Sequence, residues 1–430
     1  MTTPARRCNL LDMTPQPPNA PAARASTAPP SLDDAIQRDA LDCVMCGICV
    51  PHCPTFSLTG NEADGPRGRI SLMLGISQGG LEPDASVRHH LDTCLTCRAC
   101  ETVCPSGVRY GRLVDNGRAR LAQTETPEAR PRAQGKPWRL LRDQLLTRRR
   151  RLGMAFGLYR TATRLGLGGM VRRLAGPIGR ALPRRPADPV GTPISGIEPT
   201  RGSVGLFVGC TGGAMNAPAA RAAESVMRAM GYRVVTPGDQ VCCGAMHAHG
   251  GEPAAASSLR ARNARVFAGK DVDTIAVVGT ACRSELGALE TEHGIKVREI
   301  TEWLLERPSD EWPALGALDQ HVAVHTPCSQ RNHLKSPDAT RQLLERIPRL
   351  TLTDIDGNAR CCGAAGLQAL LYPEEAERLR APKLESIASI RPDAVVSANV
   401  GCATHFAAGA DLEVRQPVEL IAESIAAAKS

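Results

Sequence analysis

Aromatic residues make up only 3 % of this 430-residue chain: five Phe, four Tyr and three Trp. Alanine, glycine and arginine take their place, and the aromatic platforms on which nucleic-acid bases stack are scarce. No stretch approaches the ~20 uncharged apolar residues of a spanning helix. Arg6-Arg7 is followed by a proline- and alanine-rich segment without an apolar core, so no export signal is expected. No G-x-G-x-x-G follows a strand-like run, which removes the dinucleotide fingerprint; an H-E-x-x-H is missing as well. A base for substrate chemistry cannot be singled out, since His89, His90, His247 and His249 qualify only by residue type. No catalytic residue is therefore expected on this chain.

Cysteine is plentiful, with 17 copies. In a chain expected to stay in a reducing cytosol these are metal ligands rather than disulfide partners. Cys43, Cys46, Cys49 and Cys53-Pro54 form C-x2-C-x2-C-x3-C-P, and Cys94, Cys97, Cys100 and Cys104-Pro105 repeat it. In bacterial ferredoxins the fourth cysteine of each such run ligates the other cluster. The spacing thus predicts one [4Fe–4S] cluster on Cys43, Cys46, Cys49 and Cys104, and a second on Cys94, Cys97, Cys100 and Cys53. Zinc knuckles use C-x2-C pairs but not this triple-plus-one spacing. The 40 residues between Cys53 and Cys94 include a turn and helix-like pattern, Asp64-Gly65-Pro66-Arg67-Gly68-Arg69-Ile70, favouring an α-helical ferredoxin module over a β-hairpin one. Arg67, Arg69, Arg98 and Arg109 lie near the ligands in sequence; each either raises a cluster's potential or is an ordinary surface charge.

The net charge of +8 is concentrated: sixteen Lys or Arg face one acid, Asp143, between Arg130 and Arg185, leaving the remainder acidic. No nucleic-acid-binding signature accompanies the cations, so nucleic acid is not an expected partner. Leu140-Leu141, Leu145-Leu146, Leu152 and Phe156 recur at roughly helical spacing beside Arg148 to Arg151. Such a basic amphipathic stretch suits anionic lipid, an acidic partner subunit or its own chain.

A further repeat starts near residue 203. Cys210, Cys242-Cys243-Gly244 and Cys282 recur as Cys328, Cys361-Cys362-Gly363 and Cys402, at offsets of 118, 119, 119 and 120 residues. Apolar runs precede the first and last cysteine of each half, and helical patterns lie between them (Ala217–Met230, Pro253–Ala268, Asp338–Arg346, Glu374–Ile390). This alternation predicts two parallel α/β units with their cysteines gathered at the carboxyl ends of strands. Four thiolates per half suffice for a further iron–sulfur cluster or a tetrahedral zinc, making a third centre on Cys210, Cys242, Cys243 and Cys282 and a fourth on Cys328, Cys361, Cys362 and Cys402. Empty pockets are the alternative. The expected fold is α+β multidomain: a tail at 1–30 with an idle Cys8, a two-cluster ferredoxin-type domain at 31–125, a basic helical linker at 126–200, and cysteine-rich repeats at 201–310 and 318–428.

The repeats resemble the cysteine-rich CCG domains of heterodisulfide reductases and respiratory dehydrogenase subunits. The reductase pattern ends in C-x-x-C; here Glu285 follows Cys282 and His405 follows Cys402 at the fifth-thiolate positions. That departure argues against a disulfide-splitting non-cubane site. His405 is a candidate ligand, although an imidazole at a strand end is more often hydrogen-bonded. Residues 40–425 resemble the iron–sulfur subunit of glycolate oxidase, through Cys43–Cys53, Asp64–Ile70, Leu91–Arg98, Cys104–Tyr110, Cys361–Gly366 and Ala398–His405. The resemblance implies an electron-transfer subunit of a multi-subunit glycolate oxidase or dehydrogenase, with D-lactate a further substrate. FAD is then confined to partner subunits and electrons pass toward a quinone or membrane acceptor. The chain is expected in the cytoplasm, peripheral at the inner face of the membrane. Rival readings are the corresponding subunit of anaerobic glycerol-3-phosphate dehydrogenase or of a lactate-utilisation complex and, from another class, an iron–sulfur sensor or zinc-stabilised interaction protein.

Overall fold

Prolines start the helices around the first cysteines. The computed structural model describes residues 31–187 and 197–429. The expected tail with Cys8 and positions 188–196 of the expected linker lie outside the described residues. Pro54 and Pro66 each occupy the first turn of a helix, Pro54–Thr59 and Pro66–Ser77, where a missing N–H costs nothing. Further helices span Leu32–Leu41, Ala85–Asp92, Ala99–Thr102 and Tyr110–Ala122, and among the described residues no strand precedes Ser203. The first module is helical, as its spacing predicts. Ile70, Met73 and Ile76 line one helix face and bury against Ile36, Val87, Leu91 and Leu113. Gly68 has a specific duty: a Cβ there would run into the backbone carbonyl of Glu62, so only glycine lets this helix lie against the preceding turn.

The basic segment is helical too, and Leu146, Leu152 and Phe156 of the stripe read from spacing pack together, but the stripe does not extend to Leu140. A π-helical turn at Arg142–Leu146 shifts the phase, leaving Leu140 exposed. In the next helix, Arg149–Arg164, Leu152, Phe156 and Tyr159 turn inward onto Ala214.

From residue 203 the chain forms two parallel four-stranded sheets. The first holds β1 (Ser203–Phe207), β2 (Arg233–Val235), β3 (Thr274–Val277) and β4 (Val297–Glu299), in the order β2-β1-β3-β4. The second holds β5 (His321–His325), β6 (Thr351–Asp354), β7 (Ala394–Ser397) and β8 (Val414–Arg415), in the matching order β6-β5-β7-β8. The sequence repeat is thus a repeat of topology. Side chains alternate across each strand. Val204, Leu206, Ala276, Val322, Val324, Ala394 and Val396 all enter one core shared by both sheets. Helix Ala217–Ala229 of the first half packs on Pro417–Ala427 of the second, and Ile300–Leu305 packs on Ala339–Leu344. Each such buried Val or Leu contributes about 1.5–3 kcal/mol, so the two halves stabilise one another. The opposite strand faces carry Phe207, Ile275 and Val277 in one half, and Ala323 and Val395 in the other, beside the cysteines.

Candidate electron-transfer sites

Each ferredoxin-type run wraps a loop in the same way. Met45 and Gly47 flank Cys46 with φ of 56° and 81°; Thr96 and Arg98 flank Cys97 with φ of 50° and 55°. Left-handed backbone costs a non-glycine residue about 1–2 kcal/mol, so this shared conformation is maintained against its local preference. One cavity is lined by Cys43, Cys46, Cys49 and Cys104. A neighbouring one is lined by Cys53, Cys94, Cys97 and Cys100. The fourth cysteine of each run is brought to the other run's loop. Tyr110, Pro66 and Cys100 border both cavities, and the buried Tyr110 hydroxyl lies 3.8 Å from Cys94 Sγ. Burial, together with the like charges of Cys43, Cys104 and Cys46, pushes the Cys49 thiol up to about 11. A bound cation relieves both costs, so the donor set fits a metal centre.

Of the four nearby arginines, Arg69 is the one buried at a ligand. Its guanidinium donates to Thr55 Oγ1 at 3.0 Å and Thr93 Oγ1 at 3.2 Å, and lies 3.9 Å from Cys53 Sγ. Burial alone disfavours its charge, yet Cys94, Tyr110, Cys53 and Asp64 more than offset that and hold it protonated. Arg67 bonds Glu62 at 2.7 Å and the Met45 carbonyl at 3.2 Å, bracing the first loop from outside. Arg98 packs over Gly111, and the exposed Arg109 reaches Asp39 at 3.4 Å.

The strand order of each repeat reverses between its first and third strands, the place where parallel sheets collect ligands. The cysteines meet there. Cys210 and Cys242 sulfurs are 3.9 Å apart, as are those of Cys328 and Cys361, while Cys362 and Cys402 are 3.1 Å apart. Hydrogen bonds shared among the sulfurs hold Cys242 and Cys362 low, whereas those bonds and burial push Cys210, Cys243, Cys361 and Cys402 up. The glycine after each cysteine pair has φ of 105° (Gly244) or 90° (Gly363), and a Cβ on Gly363 would sit 2.8 Å from the Ala376 carbonyl. The third residue of Cys-Cys-Gly is therefore imposed by the backbone.

The side chains at both fifth-thiolate positions have hydrogen-bond partners. Glu285 accepts from Arg260 at 2.5 Å. His405 uses both nitrogens, Nε2 donating to the Ala376 carbonyl at 3.1 Å and Nδ1 facing Arg380 at 3.4 Å. Three of the histidines that qualify by residue type are tied to carboxylates: His90 to Asp64, His247 to Asp143 and His249 to Asp115. The fourth, His89, packs edge-on against Tyr372. Sequence reasoning missed His325, whose ligand atom lies within 4.8 Å of those of Cys362 and Cys402. It also missed Lys383, buried beside the same thiols with Nζ donating to the Gly357 carbonyl at 2.7 Å.

The second cavity and the second repeat adjoin. Leu95, Cys97 and Cys361 form one small apolar cluster, with Cys328 packed against it. Asn332 Nδ2 donates to the Cys97 carbonyl at 2.7 Å, and His333 Nε2 to that of Thr96 at 3.2 Å.

Two coupled thiol cavities in a helical module, abutting parallel repeats with thiols at their switch points, define a multicentre iron–sulfur protein built for electron transfer. A family model described as a 4Fe-4S dicluster domain matches residues 39–108, and one described as a cysteine-rich domain matches 204–287 and 322–407. The chain is 32 % identical over 406 residues to the glycolate oxidase iron-sulfur subunit of Escherichia coli, covering 89 % of this chain and 93 % of that one. It is 30 % identical over 409 residues to the probable glycolate oxidase iron-sulfur subunit of Bacillus subtilis, covering 87 % and 89 %. One chain of the dihydromethanophenazine:CoB–CoM heterodisulfide reductase of Methanosarcina acetivorans is 23 % identical, covering 92 % and 98 %. The chain belongs to the family of these glycolate-oxidase-type iron–sulfur subunits. It carries a dicluster [4Fe–4S] domain, and the cysteine sets of its repeats are competent for further metal centres.

Proposed function

We propose that this chain is the electron-relay subunit of a multi-subunit enzyme oxidising glycolate to glyoxylate, taking electrons from FAD on partner subunits and passing them toward a quinone. The proposed ligands are Cys43, Cys46, Cys49 and Cys104 for one cluster and Cys94, Cys97, Cys100 and Cys53 for the other, with a further centre in at least one repeat. Bound clusters supply one-electron chemistry; the chain's residues hold them, exclude water and set their charge environment. The observation that carries this reading is a continuous series of thiols. It begins at exposed Cys46, whose cavity is bordered by exposed Val44 and Ile48, and continues through the cavity of Cys94 to the apolar cluster that Cys97 and Leu95 share with Cys361. The substrate rests on what the relatives are named for. The test is to isolate the intact complex anaerobically and add glycolate. A flavoprotein that co-purifies, with EPR signals of reduced clusters on this chain, is expected. Reduction by glycerol 3-phosphate or lactate but not glycolate would assign the chain to one of the rival complexes.

The basic segment supports a place on anionic lipid. Opposite the buried face of helix Arg149–Arg164, Met154 and Leu158 are 64 % and 74 % exposed, flanked by exposed Arg150 and Arg151. The following helix, Gly168–Leu174, adds Met170, Leu174 and Arg173. Among the described residues no helix is long and apolar enough to cross a membrane. An apolar strip edged by arginines instead suits a helix lying in the headgroup layer of an anionic bilayer. Sedimentation with anionic and zwitterionic vesicles tests this. Binding to the anionic vesicles should weaken from 0.1 M to 1 M salt, as the Debye length falls from about 10 Å to 3 Å, and should be lost in Leu158→Glu. Equal binding to both vesicles sinks the lipid assignment. No vesicle binding, with Leu158→Glu losing the flavoprotein subunit instead, would give this face to the partner.

A further inference from the structure

We propose that His325 is a metal ligand through Nε2, making the second cysteine-rich pocket a mixed thiolate–imidazole centre, unlike the all-sulfur pocket of the first repeat. This rests on the reading that the second repeat holds a metal centre, and is independent of the substrate oxidised elsewhere in the complex.

The strand pattern puts the histidine on the right face. Val322 and Val324 enter the core shared by the two sheets, so Ala323 and His325 project to the cysteine side. His325 is 1 % exposed, and its ligand atom lies within 4.8 Å of the sulfurs of Cys362 and Cys402. Its orientation is set from two directions. Nδ1 pairs with Ser397 Oγ at 3.0 Å, and the ring stands edge-on to Phe406 at 4.8 Å and 87°. With Nδ1 engaged by Ser397, Nε2 is the nitrogen left to offer a lone pair, the usual arrangement of a metal-binding imidazole.

The first repeat supplies the control. His325 and Ser397 are direct partners in the β5–β7 register, and the corresponding partners in β1–β3 are Phe207 and Val277. The fold accepts an apolar pair at this place, so backbone geometry alone does not require the polar one. The same comparison separates His325 from His405, whose nitrogens are both engaged by Ala376 and Arg380. His325 lies with Cys362 and Cys402, so as a ligand it stands in for one of the other two thiols, Cys328 or Cys361; a neutral imidazole in place of a thiolate removes negative charge, and Lys383 is buried beside the same thiols. In iron–sulfur centres histidine for cysteine raises the potential. If the centre is an iron–sulfur cluster, the one beside Cys97 is thereby made the better electron acceptor of the two repeats.

The test uses the full-length chain, prepared anaerobically with 15N-labelled histidine, as wild type, His325→Phe (copying the first repeat), His325→Cys and His405→Gln. If the centre is an iron–sulfur cluster, pulsed EPR of the reduced wild type should show hyperfine coupling to a histidine nitrogen, absent in both His325 variants and retained in His405→Gln. If it is zinc, X-ray absorption should require one nitrogen at about 2.0–2.1 Å alongside sulfur at about 2.3 Å, with only sulfur in His325→Cys. The ferredoxin-type signals, unchanged in every variant, report that the chain is folded. A wild-type centre with a purely sulfur shell, or nitrogen coupling that survives in His325→Phe, overturns the ligand assignment while leaving the metal centre standing. Metal content that does not fall in a Cys362→Ser, Cys402→Ser double variant overturns both.

Discussion

Asn332 gives its side-chain amide to the carbonyl of Cys97 at 2.7 Å, across 235 positions of sequence. Asn332 follows Cys328 by four residues, so the thiols of the second repeat and the loop of the second ferredoxin-type run form one structural unit. The first repeat is joined differently. Arg118, 3 % exposed, gathers the carbonyls of Leu91, Asp92 and Cys94 and also donates to that of His249 at 3.1 Å. One repeat thus meets this loop through thiols, and the other through a guanidinium clamp.

Replacing Cys104 with alanine should damage the cluster of Cys43, Cys46 and Cys49, because Cys104 lines their cavity rather than that of its own run. EPR of the reduced variant reads this directly. Loss of the signal belonging to the Cys94 cavity would show that the crossed ligation is wrong.

Anaerobic iron quantitation should return about twelve or sixteen irons per chain, against about eight for the ferredoxin-type clusters alone. Clustered buried thiols without a metal repel one another as thiolates or must stay protonated. A value near eight with no zinc would leave the repeats as scaffold.

Arg69→Met should shift the midpoint potential of the cluster beside Cys53 and Cys94 to more negative values, since a fixed positive charge is removed next to an anionic centre. Its ion pair with Asp64 spans 3.8 Å, with side chains 1 % and 5 % exposed, so breaking it should also cost about 3–5 kcal/mol. An EPR-monitored redox titration, paired with a urea melt, checks both. A destabilised protein with an unchanged potential would make Arg69 purely structural.

Glu299 predicts a pH dependence. It is fully buried at the start of helix Ile300–Leu305, and burial pushes its carboxyl from 4.5 up to about 8. The folded state holds a proton that the unfolded state releases, so stability from this group falls as pH rises from about 4.5 to about 8 and then levels off. The slope approaches about 1.4 kcal/mol per pH unit at most. The second repeat carries the neutral Gln416 at the matching cap. Glu299→Gln should therefore flatten the profile and stabilise the chain above pH 8, as chemical denaturation across pH 5–9 will show. Parallel profiles for the two proteins would refute the buried-proton account.

Local spacing determined a good deal by itself. Two C-x2-C-x2-C-x3-C-P runs, a near-constant offset between the cysteines of the two halves, and alternating apolar runs and helical patterns were enough for a helical dicluster module followed by two parallel α/β repeats. Such features are written within a few residues of one another, or repeat, and so survive without coordinates. Spacing gave the apolar stripe of the basic segment in part: Leu146, Leu152 and Phe156 pack together, whereas Leu140 lies exposed ahead of a π-turn at Arg142–Leu146 that composition does not mark. In sequence His325 reads as the end of an apolar run, whereas His405 stands out because it occupies a motif position. The pairing of β5 with β7, the comparison with Phe207 and Val277, and the hydrogen bonds that engage both nitrogens of His405 separate the two histidines. The meeting of Cys97 with Cys361 was likewise decided by tertiary packing alone, since it joins residues more than 260 positions apart through a shared apolar contact that neither segment encodes locally.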